Sequence, residues 1–338
     1  MRTGRYLRDS LNFFRTLTPA KIWNFFLVAG GYFLSLLLKR PVVRAMPHTL
    51  SVEPATRCNL SCPECPVGNN TLARPGGVMA GEMFFSILDQ FRHTLLHLIL
   101  YFQGEPFLDP GLFEKIRYAR SRNIYVSTST NGHFLDKENI DGIFSSGLDR
   151  LIISLDGVTP ESYEKYRRGG DFTRVVQGIR DLVKRRDAEG YERPFIILQF
   201  LMFRHNLHER EKMKDLAKDL GVDRLEFKTA QFYDLSLNNP LIPEDPAFSR
   251  YRKERERYVL KYELRNRCPR LWSTAVVTWD GRMVPCCFDK NAEYVMGDLT
   301  KTSAREIWSA APYTRFRERI LTRRREVEMC RNCTEGVR

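Results

Sequence analysis

Short apolar runs and amphipathic stretches alternate along most of this chain. After Pro47, six apolar runs have the length of buried strands, and stretches with helical periodicity separate them. The predicted strands are His48–Val52, Leu96–Phe102, Ile124–Ser129, Leu151–Leu155, Phe195–Phe203 and Leu225–Lys228. The predicted helices are Gly81–His93, Pro110–Ser121, Lys137–Ser145, Phe172–Glu189 and Leu207–Leu220. This alternation predicts a parallel sheet with right-handed crossovers, as an open sheet or a partial barrel.

The alternation stops at a proline-rich stretch near residues 240–246. The highly charged segment Arg250–Arg267 follows, and we predict that it forms a solvated helix. Beyond it, Val276–Trp279 and Arg282–Cys286 flank a tight Asp280-Gly281 turn, which predicts a β-hairpin. The pattern therefore indicates a large α/β domain followed by a small one.

The N-terminal segment Ile22–Leu38 carries no charge and lies between basic residues. It is at the lower length limit for a membrane span. Asn24, Gly31 and Ser35 would form a thin polar stripe on this helix, so a helix lying in the membrane interface fits better than a span. The alternative is a helix docked on the rest of the protein. No small-residue cleavage site follows, so we do not expect a signal peptide.

Unusual residues follow four of the predicted strands. Three cysteines come after the first strand, Gln103–Pro106 after the second, Thr130–Gly132 after the third and Asp156-Gly157 after the fourth. The carboxyl ends of parallel strands form one edge of a sheet or barrel, where active sites lie. We therefore expect these segments to converge on one site.

The first cysteines have the spacing C-x3-C-x2-C, at Cys58, Cys62 and Cys65. A structural zinc site needs four ligands, whereas three thiolates leave a coordination position open for chemistry. Zinc or buried free thiols remain the alternatives. All eight cysteines fall in two clusters, which indicates metal in a reducing compartment rather than disulfides.

The 338 residues carry a net charge of +13, which favours anionic partners such as a membrane surface, nucleic acid, or a phosphorylated or carboxylated substrate. A generally basic surface would explain the same excess. Of these partners, we do not expect nucleic acid.

The triplet Cys58, Cys62 and Cys65 resembles that of the radical SAM superfamily. The resemblance implies that these cysteines hold three irons of a 4Fe-4S cluster, while the fourth iron binds S-adenosylmethionine. The segment Gln103-Gly104-Glu105-Pro106 resembles the family's glycine-glycine-glutamate-proline motif, although Gln103 replaces its first glycine. Gly104 and Glu105 are then expected to receive the cofactor's amino group.

Further cofactor contacts follow from the same resemblance. Small polar residues at the third and fourth strand ends would bind the ribose and methionyl groups, and an arginine before Gly169-Gly170 would lie near the carboxylate. The residues in these positions are Ser129, Asn131, Ser154, Asp156 and Arg167.

The C-terminal cysteines resemble the SPASM domain, in the shortened form called the twitch domain. The resemblance implies that one auxiliary 4Fe-4S cluster is bound, with Cys287 as an alternative to Cys286; a zinc ribbon-like site is the other interpretation. The expected ligands are Cys268, Cys286, Cys330 and Cys333.

The implied fold is a partial (β/α)6 TIM-type barrel followed by a small α+β SPASM/twitch-like domain, with an N-terminal apolar helix. The expected division is 1–47 for the N-terminal segment, 48–235 for the radical SAM core, 236–267 for a linker and charged helix, and 268–338 for the auxiliary domain.

The implied reaction begins with reductive cleavage of S-adenosylmethionine to a 5′-deoxyadenosyl radical, which abstracts hydrogen from a substrate C–H bond. With a second cluster as electron acceptor, we expect a net oxidation of a small, sugar or lipid substrate. The alternatives are a peptide maturase and a non-catalytic iron–sulfur or zinc interaction protein. An electron donor such as ferredoxin or flavodoxin and an anionic or membrane-associated substrate are the expected partners. The expected location is cytoplasmic, peripheral to the membrane through Ile22–Leu38.

Overall fold

The structure is a computed structural model that describes residues 2–335, with side chains from residue 4 onward. Within this range the chain forms two compact units, each assembled from separate stretches of sequence. The first unit comprises residues 2–11, 58–71 and 128–261, and the second comprises 12–57, 72–127 and 262–335.

The six predicted strands of the alternating region are confirmed, with ends displaced by up to three residues. The strands are β1 (Thr49–Val52), β2 (His97–Ile99), β3 (Tyr125–Thr130), β4 (Arg150–Ser154), β5 (Phe195–Met202), β6 (Arg224–Thr229), β7 (Tyr251–Glu254), β8 (Arg257–Leu260), β9 (Thr274–Val277), β10 (Arg282–Val284) and β11 (Gly297–Asp298).

The predicted helices between these strands are confirmed as well. The α-helices of the described range are α1 (Arg2–Phe14), α2 (Pro19–Leu38), α3 (Gly81–Asp89), α4 (Leu112–Ser121), α5 (Lys137–Ser146), α6 (Pro160–Glu164), α7 (Phe172–Ala188), α8 (Arg210–Asp219), α9 (Arg270–Ser273), α10 (Ala304–Ser309) and α11 (Ala311–Arg323).

In the second unit, β1 lies between β2 and β9 and pairs with both in parallel. β2 in turn pairs in parallel with residues 125–127 of β3. β9 and β10 form the predicted antiparallel hairpin, and β11 extends it. Leu50, Val52, Ala275 and Val277 are fully buried, so the hairpin and β1 share one apolar core.

In the first unit, β4, β5 and β6 pair in parallel in chain order. The register sets Ser154 beside Gln199. Gly147 closes α5 in the left-handed conformation, with φ of 72°. These parallel strands and their crossover helices carry the residues that follow β3 and β4 to one edge of the unit.

The predicted solvated helix over Arg250–Arg267 is wrong. Residues 251–260 form an antiparallel hairpin, in which β7 pairs with β8. Two tyrosines decide the outcome, since Tyr251 and Tyr258 are almost fully buried while the charged residues beside them are exposed. The Tyr251 hydroxyl also accepts a hydrogen bond from the Phe232 amide at 3.0 Å. The many charged residues around the two tyrosines gave this segment the sequence pattern of a solvated helix.

Helix α2 begins after the N-cap Thr18 and ends at Lys39 in the left-handed conformation. Its polar stripe faces the protein: the Asn24 side chain donates to the Met46 carbonyl and accepts from the Met46 amide. The Ser35 hydroxyl accepts from the Val42 amide at 2.8 Å. The stripe therefore docks α2 on the segment that follows it. Among the described residues, α2 alone is long and apolar enough to span a membrane.

Candidate active site

The three cysteines of the first loop lie close together in the first unit. The Cys65 amide donates to the Cys62 carbonyl at 3.2 Å, so one turn brings these two residues together. The Leu60 amide donates to the Cys58 sulfur at 3.4 Å. Cys62 is buried, whereas Cys58 and Cys65 are partly exposed. The loop thus offers three thiols from eight consecutive residues.

An apolar cluster supports the loop from beneath. The three cysteines pack against buried side chains that include Leu60, Phe203 and Phe232. Burial raises the pKa of the Cys62 thiol to about 11. A metal that binds there must therefore displace a firmly held proton.

Two residues that sequence reasoning missed fix the shape of the loop. The Glu64 carboxylate accepts from the Tyr233 amide at 3.1 Å and from the Asn239 side chain at 3.4 Å. Gly68 lies against the Cys62 backbone, because a β-carbon there would come within 2.6 Å of the Cys62 nitrogen. Neither residue carries a sequence signal apart from its closeness to the cysteines.

The predicted Gly104-Glu105 pair belongs to the second unit and contacts the chain just before the cysteine loop. The Glu105 amide donates to the Arg57 carbonyl at 2.7 Å. Gly104 has φ of +75°, and a β-carbon there would lie 2.5 Å from the Ala55 carbonyl oxygen. Both features require a glycine at position 104. The Glu105 side chain is buried and accepts from the Phe107 amide.

Asn131 contacts the cysteine loop directly. Its amide nitrogen donates to the Asn59 side chain at 2.7 Å and lies 3.8 Å from the Cys58 sulfur. Its amide oxygen accepts from the backbone amide of His133. Asn131, which was predicted as a cofactor contact, therefore touches the first cysteine.

His133 holds Asn131 in place, and sequence reasoning missed it. Its Nε2 accepts from the Asp171 amide at 2.7 Å, which leaves the proton on Nδ1. Nδ1 lies 3.0 Å from the Asn131 side-chain oxygen and donates to it. Burial lowers the pKa of His133, and the charge of Arg174 acts in the same direction.

Asp156 and Arg167 form a buried ion pair in the first unit. Arg167 Nε donates to the Asp156 carboxylate at 2.6 Å, and the other carboxylate oxygen accepts from the Leu201 amide. Burial opposes the charge of Arg167, but the Asp156 carboxylate raises its pKa well above the ordinary value. Asn206 supports the pair by donating to the Asp156 carbonyl at 3.0 Å.

The arginine–glycine segment also contacts the cysteine loop through its backbone. The Ser61 amide donates to the Arg168 carbonyl at 2.9 Å. Ser129 lies in β3 and Ser154 ends β4, as predicted. No hydrogen bond within the described range joins either serine to the cysteine loop. The structure thus brings Asn131 and the segment of Arg167 into hydrogen-bond contact with the loop, and gives the two serines no such contact within the described range.

Four of the five C-terminal cysteines line one small cavity of the second unit. Cys268, Cys330 and Cys333 are buried, and Cys286 follows the end of β10. The four come from three separate segments of the chain, at 268, 286 and 330–333. They are the same four cysteines that were predicted as auxiliary ligands.

Arg324 is a buried cation in the wall of this cavity, and sequence reasoning missed it. Its guanidinium donates to the Arg267 carbonyl at 2.7 Å. Burial opposes its charge, yet the surrounding thiols of Cys333, Cys268 and Cys330 raise its pKa. A permanent positive charge in this place would offset the negative charge of a thiolate-ligated cluster.

Cys287 is turned towards a different neighbour. Arg270 Nη1 lies 3.7 Å from its sulfur, and Arg270 also pairs with Glu335 at 2.8 Å. A hydrogen bond from the Cys286 thiol is the main reason that the pKa of Cys287 is lowered, and Arg270 adds to it. Cys287 is absent from the lining of the four-cysteine cavity. This placement favours Cys286 over Cys287 as an auxiliary ligand.

A buried glutamate links the strand before the first cysteines to the hairpin before Cys286, both in the second unit. Glu53, directly after β1, binds Arg74 through both carboxylate oxygens at 2.6 and 2.8 Å. Glu53 also accepts from the Trp279 amide at 3.1 Å. The ring of Trp279 covers Gly77, where any β-carbon would collide with it.

The donor sets suit iron–sulfur clusters better than a single ion. Within residues 2–335, no three metal-binding side chains surround one point closely enough for a lone metal ion. A four-iron cluster is wider, and soft thiolates are its usual ligands. Three thiols in one loop and four around one cavity fit two such clusters.

Comparison with protein families decides the identity. The family model for the radical SAM superfamily matches residues 52–225. This chain belongs to the radical SAM superfamily. The model for an iron–sulfur cluster-binding domain, SPASM, matches residues 268–334. The family, the SPASM domain and the expected 4Fe-4S and S-adenosylmethionine cofactors are therefore confirmed.

Two curated relatives of this radical SAM chain have different functions. The chain is 25% identical over 313 residues to the tungsten-containing aldehyde ferredoxin oxidoreductase cofactor-modifying protein of Pyrococcus furiosus. That match covers 84% of this chain and 86% of the relative. The chain is 29% identical over 194 residues to a PqqA peptide cyclase of Gluconobacter oxydans. That match covers 57% of this chain and 52% of the cyclase. The chain thus spans about half the length of the cyclase.

A solved structure confirms the fold of this radical SAM chain. The chain resembles the crystal structure of BtrN in complex with AdoMet and 2-DOIA, with a TM-score of 0.57 and 18% identity. The match covers 87% of this chain and 95% of the BtrN chain. The expected partial barrel with a small C-terminal domain is confirmed at the level of the fold.

Proposed function

We propose that this radical SAM enzyme catalyses a net oxidation of a small, sugar or lipid substrate. Bound S-adenosylmethionine would supply, on one-electron reduction, methionine and a 5′-deoxyadenosyl radical that takes a hydrogen atom from a substrate C–H bond. The observation that carries the proposal is the second thiol set: four cysteines and a buried arginine around one cavity. A cluster there could accept the electron that the substrate radical must lose.

We assign roles to this chain's residues on the contacts described above. Cys58, Cys62 and Cys65 would ligate the first cluster, and Asn131 would orient the loop through Asn59. Arg167, held by Asp156, would receive the carboxylate of S-adenosylmethionine.

The remaining assignments rest on placement alone. Gly104 and Glu105 would receive the amino group of the cofactor, and Ser129 and Ser154 its other polar groups. The auxiliary ligands would be Cys268, Cys286, Cys330 and Cys333. The boundaries 1–47, 48–235, 236–267 and 268–338 stay predictions.

A peptide maturase is the second candidate, and the similarity to a PqqA peptide cyclase favours it. Both candidates need a reductant, for which ferredoxin or flavodoxin is the expected type. A non-catalytic iron–sulfur protein would need neither reductant nor substrate.

We also infer a cytoplasmic location, because exposed clusters need a reducing compartment. The exposed apolar residues of α2 support peripheral attachment to a membrane through Ile22–Leu38.

Anaerobic reconstitution with dithionite and S-adenosylmethionine tests the proposal. We expect roughly eight irons per chain, since each of two clusters holds four, and formation of 5′-deoxyadenosine. Cys62→Ala should lose the deoxyadenosine, whereas Cys287→Ala, a matched loss of one thiol outside both ligand sets, should keep it. Full cleavage by Cys62→Ala would contradict the assignment.

A further inference from the structure

Helix α2 carries its large apolar side chains on the side away from the protein. Trp23, Phe26, Phe33 and Leu37 are 66%, 61%, 66% and 68% exposed. The small and polar residues of the same helix face inward instead. A helix in water would hide this apolar face, so the arrangement requires an apolar surrounding for α2.

A groove of about 450 Å³ lies beside this face in the second unit. Ala20, Trp23 and Leu27 contribute one wall, from successive turns of α2. Arg44 and Arg305 line the groove and are exposed. Trp23 belongs to both the groove and the exposed face, so the two surfaces are continuous.

The two arginines of the groove have no acidic partner among the residues that the structure describes. Within the described residues, neither Arg44 nor Arg305 forms an ion pair, whereas the fully buried Arg186 pairs with Asp223 at 2.6 Å. A guanidinium is planar, always charged and suited to phosphate oxygens. Two of them in a groove that opens on an apolar face match a phosphate group with an acyl chain attached.

We propose that this groove binds the phosphate headgroup of an anionic phospholipid and so fixes how α2 lies on the bilayer. The inference rests on the peripheral membrane attachment proposed above. Arg44 and Arg305 bind the phosphate, while the exposed face of α2 enters the acyl region. The basic residues Lys39 and Arg40, just after α2, add general attraction to an anionic surface but lie outside the groove.

The first test measures binding of the reconstituted full-length protein to vesicles of phosphatidylcholine with and without 30% phosphatidylglycerol. We expect the wild type to prefer the anionic vesicles. Each basic residue near such a surface contributes about a factor of five, so Arg44→Gln/Arg305→Gln should weaken binding by roughly thirtyfold. The matched control Lys39→Gln/Arg40→Gln removes the same charge beside the same helix and should weaken binding too.

The second test separates the groove from general attraction. Calorimetry with monomeric dihexanoyl phosphatidylglycerol should show binding to the wild type and to Lys39→Gln/Arg40→Gln, and a loss of at least about tenfold for Arg44→Gln/Arg305→Gln. If inorganic phosphate binds as tightly as the short lipid, the groove is a free-phosphate site and the lipid assignment is wrong.

The two proposals fail in different ways. If the wild type binds neither type of vesicle, the membrane attachment fails and the headgroup site with it. If Phe26→Ser/Phe33→Ser loses vesicle binding but the Arg44/Arg305 variant matches the wild type in both assays, only the groove inference is overturned.

Discussion

Gly104 offers the sharpest test of how the chain before the cysteine loop is held. Its φ of +75° is left-handed, and a β-carbon there would lie 2.5 Å from the Ala55 oxygen and 2.8 Å from the Arg57 oxygen. Real β-carbons essentially never approach closer than 3.0 Å, so in Gly104→Ala the backbone must move by at least about 0.5 Å. Arg57 immediately precedes Cys58, and the movement would reach the loop.

Gly190 is the matched control. It has nearly the same φ, +71°, but no atom lies within 4 Å of where its β-carbon would be. Gly190→Ala should therefore lose only the left-handed cost of about 1–2 kcal/mol. Gly104→Ala adds overpacking against fixed backbone, about 1–3 kcal/mol more.

The assays are the free energy of unfolding in urea and the rate of 5′-deoxyadenosine formation by the reconstituted protein. Gly104→Ala should be the less stable variant and should lose activity by at least about tenfold, because a displacement near 1 Å at reacting groups can cost a hundredfold. Gly190→Ala should keep its activity. If the two variants behave alike, the close contact of Gly104 with residues 55–57 does not matter, and our reasoning is refuted.

Three further predictions follow from the buried groups. Arg167→Ala should lower the free energy of unfolding by about 3–5 kcal/mol, because it leaves a buried carboxylate unpaired, whereas the exposed neighbour Arg168→Ala should change it by less than about 0.5 kcal/mol; equal effects in urea denaturation would be inconsistent with the ion pair. In iron analysis after reconstitution, Cys286→Ser should lose about half of the iron and Cys287→Ser little; the reverse result would exchange their roles. The pKa of His133 is lowered in the fold, so its contribution to stability is complete above the unfolded pKa of about 6.5 and is lost as the pH falls through the folded pKa; His133→Gln should flatten that acid limb, and an unchanged pH profile would disprove the contribution.

The sequence predicted β1–β6 most directly where buried parallel strands such as β4 and β5 are nearly continuous apolar runs, whose signal needs no tertiary context. Their order also explains why Asn131 and Asp156 were found, since a parallel sheet delivers strand ends to one edge. The hairpin of residues 251–260 was missed for the opposite reason. Its two tyrosines are buried by packing against residues far away in the chain, whereas the charged majority dominated the local pattern.

The residues that support the site escaped prediction because their roles exist only in the fold. His133 gains its function by accepting a hydrogen bond from Asp171, 38 residues later. Arg324 lies in the run Arg323–Arg325, in which it alone is buried. No property of an arginine triplet distinguishes the middle residue. Long-range burial makes that distinction, and a single sequence does not contain it.

The pairing of β1 with β9 has a consequence for the order of events during synthesis. The Glu53 carboxylate accepts a hydrogen bond from the Trp279 amide, which lies 226 residues further along the chain and is therefore synthesised much later. Until β9 has been synthesised, one edge of β1 has no neighbouring strand, although the first three cysteines were synthesised about 200 residues earlier. A nascent chain stopped near residue 267 would expose that edge to aggregation. The core of the second unit is therefore expected to close only after residues 274–277 have been synthesised.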